Sequence, residues 1–252
     1  MDPRLFVYSG IGLIVGIVLF IKGFLWLKQK RLIENIPTSK IRSLAMGLVE
    51  IHGDVVPFKE LLTGPFSKKE CVYYYYTIEE YRRSGKNSKW ITIKHGEQST
   101  PFFLKDNTGS VLINPTGAKI DAPLTTQYES GLMRDPPAAI RNFLTQQNLN
   151  FESFFGINKK MRFTEYSIPP ATELYILGTA GDNPHMEETT ALKGVEDVMI
   201  QHGNNDKTYF ISTKNEHQLL SSLRWKTIGG IGGGFILSIG SLIVMLIYFG
   251  LF

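Results

Sequence analysis

Two apolar runs, one at each end, constrain what this chain can fold into more than any other feature. Leu5 to Leu27 reads LFVYSGIGLIVGIVLFIKGFLWL, with one charge, Lys22, near its end. Ile228 to Phe252 reads IGGIGGGFILSIGSLIVMLIYFGLF and carries no charge. About 20 consecutive apolar residues cross a bilayer as a helix, and at 1.5 Å per residue the first run reaches about 34 Å. A cleavable signal peptide would have a shorter apolar core and a small-x-small cleavage site. Here KQKR, Lys28 to Arg31, follows the run as a stop-transfer pattern. The expected organisation is a transmembrane helix over 5–27, a soluble domain over 28–226 and a second transmembrane helix over 228–252.

Small residues predict that the two helices pack on each other, because close backbone approach drives association in lipid. Gly12 and Gly16 share one face of the first helix, and Gly233, Gly240 and Ser241 supply the second. Gly12 and the Gly240–Ser241 pair fall at similar depth in an antiparallel arrangement. Trp26 and Trp225 mark the domain-side ends, where amphipathic rings favour the interface. Lys28, Lys30, Arg31, Arg224 and Lys226 lie on the domain side, against Arg4 alone on the other. By the positive-inside rule the domain is expected in the cytoplasm, with both termini outside.

The chain holds 27 Lys and Arg against 23 Asp and Glu, a formal charge of +4. The juxtamembrane clusters account for this excess. No basic helix or stripe suggests a nucleic-acid partner. Cys71 is the single cysteine. It excludes an intramolecular disulfide and a multi-thiolate zinc site, and no histidine stands at zinc-ligand spacing. No metal, cofactor or catalytic residue is expected.

Between the apolar ends, short β-like runs alternate with turn signals. Ser43 to Gly53 reads as a strand ending at Gly53-Asp54. Glu70 to Arg83, rich in aromatic β-formers, pairs across Ser84–Asn87 with the strictly alternating Lys89–Gly96. Pro101 to Asp121 gives three strands separated by Asn107-Thr108-Gly109 and Pro115-Thr116-Gly117. Asp135 to Leu149 is a helix candidate with Asp135 as N-cap. Met161 to Gly181 gives two strands, and Ala191 to Lys214 a final pair turning at His202–Asn205. Asp182–Ala191, with Glu187 and Glu188, is a polar loop. Thr213 and Glu216 form a capping box for a last helix, running almost directly into the second apolar run. The fold class is membrane α plus a soluble β-rich (α+β) domain, a small barrel or sandwich with one or two helices.

Three short motifs add a resemblance. They are Ser39–Gly53 (S-K-x-R-S-x-x-x-G-x-V-E-x-x-G), Cys71–Tyr76 (C-V-Y-Y-x-Y) and Asp106–Pro115 (D-x-T-G-x-V-x-I-x-P). With the order of elements, they make the chain resemble the GIDE or beside-a-membrane (BAM) domain family. That family includes membrane-anchored mitochondrial ubiquitin ligases and prokaryotic relatives. In the ligases a RING follows the second membrane helix, and a RING binds two zinc ions through about eight Cys/His ligands. With one cysteine, this chain is expected to lack that part. The resemblance therefore implies a non-catalytic scaffold, sensor or partner-binding module. The alternative is a component of a ubiquitin-transfer or membrane quality-control pathway. The ligases place this domain in the intermembrane space, whereas the flanking charges here place it in the cytoplasm.

The working surface is expected on the aromatic strand, at Tyr74, Tyr76, Glu79, Arg82 and Arg83, where alternation leaves half of the tyrosines outside the core. Partners are then the lipid bilayer and a protein, with a homo-oligomer allowed by the packing faces. Cys71 reads as a small buried residue rather than a nucleophile. The Asp106 turn reads as a turn rather than a phosphate or metal loop. A small barrel with such a turn is similar to the OB-fold, but the basic-aromatic pattern of a single-strand binder is missing.

Overall fold

A computed structural model describes residues 3–84, 87–149, 159–183, 198–203, 208–214 and 216–250. It divides into two compact units, a helical one (Met1–Pro37 with Lys214–Phe252) and a β-rich one (Thr38–Thr213).

Helix α1 (Pro3–Asn35) runs more than two turns beyond the apolar run. No glycine or proline interrupts Leu27 to Asn35, and a Lys30–Glu34 ion pair at 2.8 Å supports the extension. The helix thus continues past residue 27, the expected end of the membrane span, as far as Asn35.

The β-unit opens with a short 3-10 turn (Ile41–Ser43) and strand β1 (Gly47–Pro57). β1 does not end at Gly53. It continues through it, because a methyl group there would strike the backbone carbonyl of Lys105. The glycine permits a close strand approach rather than a turn. β2 (Leu62–Thr63) and β3 (Glu70–Cys71) form a small ribbon. β4 (Tyr73–Ser84) and β5 (Asn87–Ser99) form a long hairpin, and β6 (Phe102–Lys105), β7 (Ser110–Ile113), β8 (Lys119–Asp121) and β9 (Leu124–Ser130) follow. Helix α2 (Ala138–Gln146) starts at an N-cap of Pro137, not Asp135. A residue before proline disfavours helical backbone, which delays the start past Pro136 and Pro137. β10 (Met161–Ile168), β11 (Glu173–Asp182), β12 (Val198–Gln201) and β13 (Phe210–Ser212) complete the strands. The expected Asp182–Ala191 loop and its Glu187–Glu188 pair, the expected turn at His202–Asn205 and the Thr213–Glu216 capping box fall wholly or partly outside the described residues.

Five strands close a ring, in the order β1-β6-β7-β12-β11 and back to β1. Four pairs are antiparallel and one, β7 with β12, is parallel. That is the arrangement of a small Greek-key barrel of the OB type. β13 joins the edge of β11 that β12 leaves vacant, and β8 lies parallel to β13. Val49, Ile51, Phe102, Leu104, Ile113, Ile176 and Ile200 fill the barrel. A second, antiparallel sheet runs β5-β4-β10-β9. α2 covers one face of it with Ile140 and Leu144, over Tyr76, Ile78, Met161 and Phe163.

In the helical unit, α3 (Glu216–Ile228), a π-helical turn (Gly229–Gly233) and α4 (Gly234–Tyr248) follow one another without a break. Consecutive glycines in the π turn offer no side chain to resist the wider winding.

Candidate functional site

Alternation along β4 sends its tyrosines to two cores rather than to one core and a surface. Tyr73 enters the barrel cluster. Tyr76, only 7% exposed, lies under α2, edge-on to Phe66 at 5.5 Å and Phe143 at 5.1 Å. Tyr76 therefore lies inside the second core: α2 and the Phe66 loop cover the face that alternation alone leaves open. Tyr74 is half-buried against the same cluster and donates to Gln98 Oε1 at 2.8 Å. Burial, then the nearby Glu97 carboxylate, pushes the Tyr73 hydroxyl far above its usual range.

Glu79, Arg82 and Arg83 lie further along β4, and Glu79 joins a cluster built across four strands, β4, β5, β9 and β10. Arg162 of β10 stacks over the Trp90 ring of β5 at 4.0 Å. The same guanidinium donates to Glu129 at 2.8 Å and lies 3.6 Å from Glu79. Lys160 sits over Tyr81 at 4.6 Å, and Tyr81 packs against Trp90 at 5.1 Å. Arg82 pairs with Glu80 at 2.7 Å, while Arg83 is exposed near the hairpin end. Sequence reasoning did not include Trp90, Glu129, Lys160 or Arg162. The alternation of Lys89–Gly96 already put Trp90 on one face, but its cationic partners come from a strand some 70 residues away. The sheet's outer strands, β5 and β9, each pair on one side only among the described residues.

The motifs behind the family resemblance act as structural locks. Asp106 Oδ1 accepts from Thr108 N at 2.6 Å, Thr108 Oγ1 at 2.7 Å and Gly109 N at 2.9 Å, and Oδ2 accepts from Ile41 N at 3.1 Å. Arg42 N donates to Thr108 Oγ1 at 3.2 Å. The D-x-T-G turn thus clamps the S-K-x-R-S segment. Burial, the largest single influence, raises the Asp106 carboxyl's pKa. The donors from Thr108, Ile41 and Gly109 together outweigh it and hold the group below its ordinary value. Glu165, fully buried on β10, accepts from Phe66 N at 2.6 Å, from Ser67 N at 3.1 Å and from the Ser67 hydroxyl. Cys71, buried and close to Glu165, has its thiol pushed up to about 11, chiefly by burial. The thiolate, the nucleophilic form of the side chain, is disfavoured there.

An open groove of about 640 Å³ lies beside β1, lined by His52, Asp54, Lys105, Asp106, Asn107 and Glu173 among others. Asp54 stands in register between Lys105 and Glu173. Among the described residues no group of three His, Cys, Asp or Glu side chains is placed to hold a metal ion.

In the helical unit, Gly12 faces Ser241: a methyl on it would lie 2.5 Å from the Ser241 hydroxyl oxygen. Gly16 faces Ser238 and the Gly234 carbonyl, and Gly23 faces Gly230 and Ile231. Gly233 and Gly240 have no atom within 4 Å of where a Cβ would stand, so they lie off this contact face. Helical spacing puts Gly230, Gly234, Ser238 and Ser241 on one stripe, which Gly233 and Gly240 miss. Arg4–Asn35 and Leu220–Tyr248 are long and apolar enough to cross a membrane, with mean hydropathies of 2.3 and 2.2, and most of their apolar surface faces outward.

A family model described as GIDE, E3 ubiquitin ligase, matches residues 73–245. No curated protein and no solved structure matches the chain. The match begins at the aromatic strand, so the S-K-x-R-S segment lies before it, held to the matched part through Asp106. Covering well over half of the 252 residues, the match shows that the chain belongs to the GIDE E3 ubiquitin ligase family.

Proposed function

We propose that the chain is a two-pass membrane protein whose β-domain is a non-catalytic, cytoplasmic partner-binding module. One observation carries this reading. Asp106, Glu165 and Cys71, the reactive groups within the family motifs or beside them, are all engaged in packing or hydrogen bonds. What remains outward is the charged aromatic face of the four-stranded sheet, with Glu79, Tyr81, Arg83 and the Trp90–Arg162 stack. Stacked aromatics and guanidinium groups lose little conformational freedom on binding, which suits them to a protein interface. The five basic residues flanking the apolar helices on the domain side support the cytoplasmic placement.

The family description favours a second reading, a role in ubiquitin transfer. With one cysteine in 252 residues, the RING ligands for that chemistry come from another polypeptide segment. One reconstitution separates the readings. The purified chain in nanodiscs is added to a ubiquitin-charged conjugating enzyme, and thioester discharge is followed. The module reading expects no acceleration by the chain alone, and acceleration overturns it. Protease cleavage of the domain in inverted but not right-side-out vesicles is the matching expectation for orientation.

A further inference from the structure

The turn that follows β9 carries two large apolar side chains that are mostly exposed. Gly131 and Arg134 exchange backbone hydrogen bonds at 2.9 and 3.2 Å, closing a two-residue loop. At its tip Leu132 is 72% exposed and Met133 is 97% exposed. Met133 has φ +57°, the one positive φ in the turn, at the position where such turns normally place glycine or asparagine. A methionine there is strained, and it gains no contact within the domain in return. The base of the turn is firm. Ser130, buried, donates to Lys159 O at 3.1 Å, and Tyr128 donates to Asp135 O at 2.6 Å. One step back from the tip, the Arg134 guanidinium lies over the Tyr128 ring at 5.0 Å.

This order of chemistry, apolar tip first and then a cation with an aromatic ring, matches the order of depth at a membrane surface. Acyl chains accept Leu and Met, while Tyr and Arg favour the headgroup level. A protein partner fits less well, because two side chains cannot approach the roughly 800 Å² per partner that a stable interface buries. For a domain tethered at both ends a small contact suffices, because the surface is held at high effective concentration.

We propose that the Leu132–Met133 turn is a membrane-contact tip that enters the headgroup boundary of the bilayer in which α1 and α4 reside. This rests on the two-pass reading above. The test uses the full chain in proteoliposomes with Met133→Cys carrying a nitroxide, in a Cys71→Ser background, because the native thiol, though buried, is the one other cysteine. Lys89→Cys serves as the water-exposed reference and Ile243→Cys, on the outer face of α4, as the lipid reference. The expected result is a several-fold excess of collisions with oxygen over a water-soluble nickel chelate at position 133, approaching the Ile243 value. A label at 133 that behaves like Lys89→Cys overturns the tip and leaves the two-pass reading standing. A label accessible to neither reagent also overturns it, in favour of a protein pocket. If Ile243→Cys itself reports water, both proposals fall together.

Discussion

Tyr175 donates its hydroxyl hydrogen to Glu50 Oε2 at 2.9 Å, joining β11 to β1 with both residues buried. The other carboxylate oxygen accepts from Thr38 Oγ1 at 2.7 Å, and Ser39 N donates to the Glu50 carbonyl. One side chain in the S-K-x-R-S-x-x-x-G-x-V-E motif therefore fastens both the barrel seam and the segment leading into it. Tyr175→Phe leaves a buried carboxylate oxygen short of a donor, at a cost of about 1–3 kcal/mol. At this size that lowers Tm by roughly 2–4 °C per kcal/mol. A double-mutant cycle with Glu50→Gln, read by thermal melts of the detergent-solubilised chain, should give a coupling energy above about 0.5 kcal/mol. Strictly additive effects would show that the pair does not act as a unit.

Asp106 ties stability to pH. Its carboxyl is held below the ordinary 3.8 in the folded chain. A depressed native pKa contributes stability that is fully present above the unfolded value and lost as pH falls through the native one. In Asp106→Asn the amide meets the Ile41 N–H donor to donor or forfeits the Thr108 bonds, and its contribution no longer titrates. The urea midpoints of wild type and variant should differ by a constant amount above about pH 5 and converge below the carboxylate range. A gap of unchanged size down to pH 2.5 would show that the hydrogen bonds do not favour the charged form.

The apolar ends were legible because hydropathy is a local property: Leu5–Leu27 and Ile228–Phe252 announce their helices without reference to any partner. The β-hairpin and the D-x-T-G turn were legible for the same reason. The small barrel was among the expected folds, but the pairing that closes it was not legible. It joins Glu50 to Leu177 and Ile113 to Ile200, and register over such separations leaves no trace in spacing. Gly53 shows how one residue carries two meanings, since a turn and a close strand approach both call for glycine. Tyr76 shows the reach of alternation: it placed the ring on the face opposite Tyr73 but could not say that α2 would cover that face. The Trp90–Arg162 stack needed the β5-β4-β10 order, so the strongest surface cluster was the least readable.

Cys71 should be inert in the folded chain. With its thiol near 11, about one molecule in a thousand is thiolate at pH 8, and the side chain is inaccessible. Raising the pH to 9 increases the thiolate fraction about tenfold, yet burial keeps reagent out. Iodoacetamide labelling at pH 8 should proceed at the rate of global unfolding and become fast in 6 M guanidinium. Stoichiometric labelling within minutes under native conditions would reinstate the thiol as a chemical group.

The glycine stripe makes the helix pair testable residue by residue. A methyl group on Gly23 would lie 2.6 Å from the Ile231 backbone nitrogen, which cannot swing aside as a side chain can. Gly10 has nothing within 4 Å of the same position. Gly23→Ala should therefore separate the helices while Gly10→Ala leaves them in place, and the added helix propensity of alanine works against neither outcome. The reporter is a disulfide between Gly12→Cys and Ser241→Cys, whose side chains face each other across the pair. Copper phenanthroline should close it rapidly in the parent and in Gly10→Ala, and several-fold more slowly in Gly23→Ala. Gly233 and Gly240 extend the test: they lie off the contact face, so alanine at either should leave the rate unchanged. Slowing by Gly240→Ala comparable with that by Gly23→Ala would place the packing face on the other side of α4.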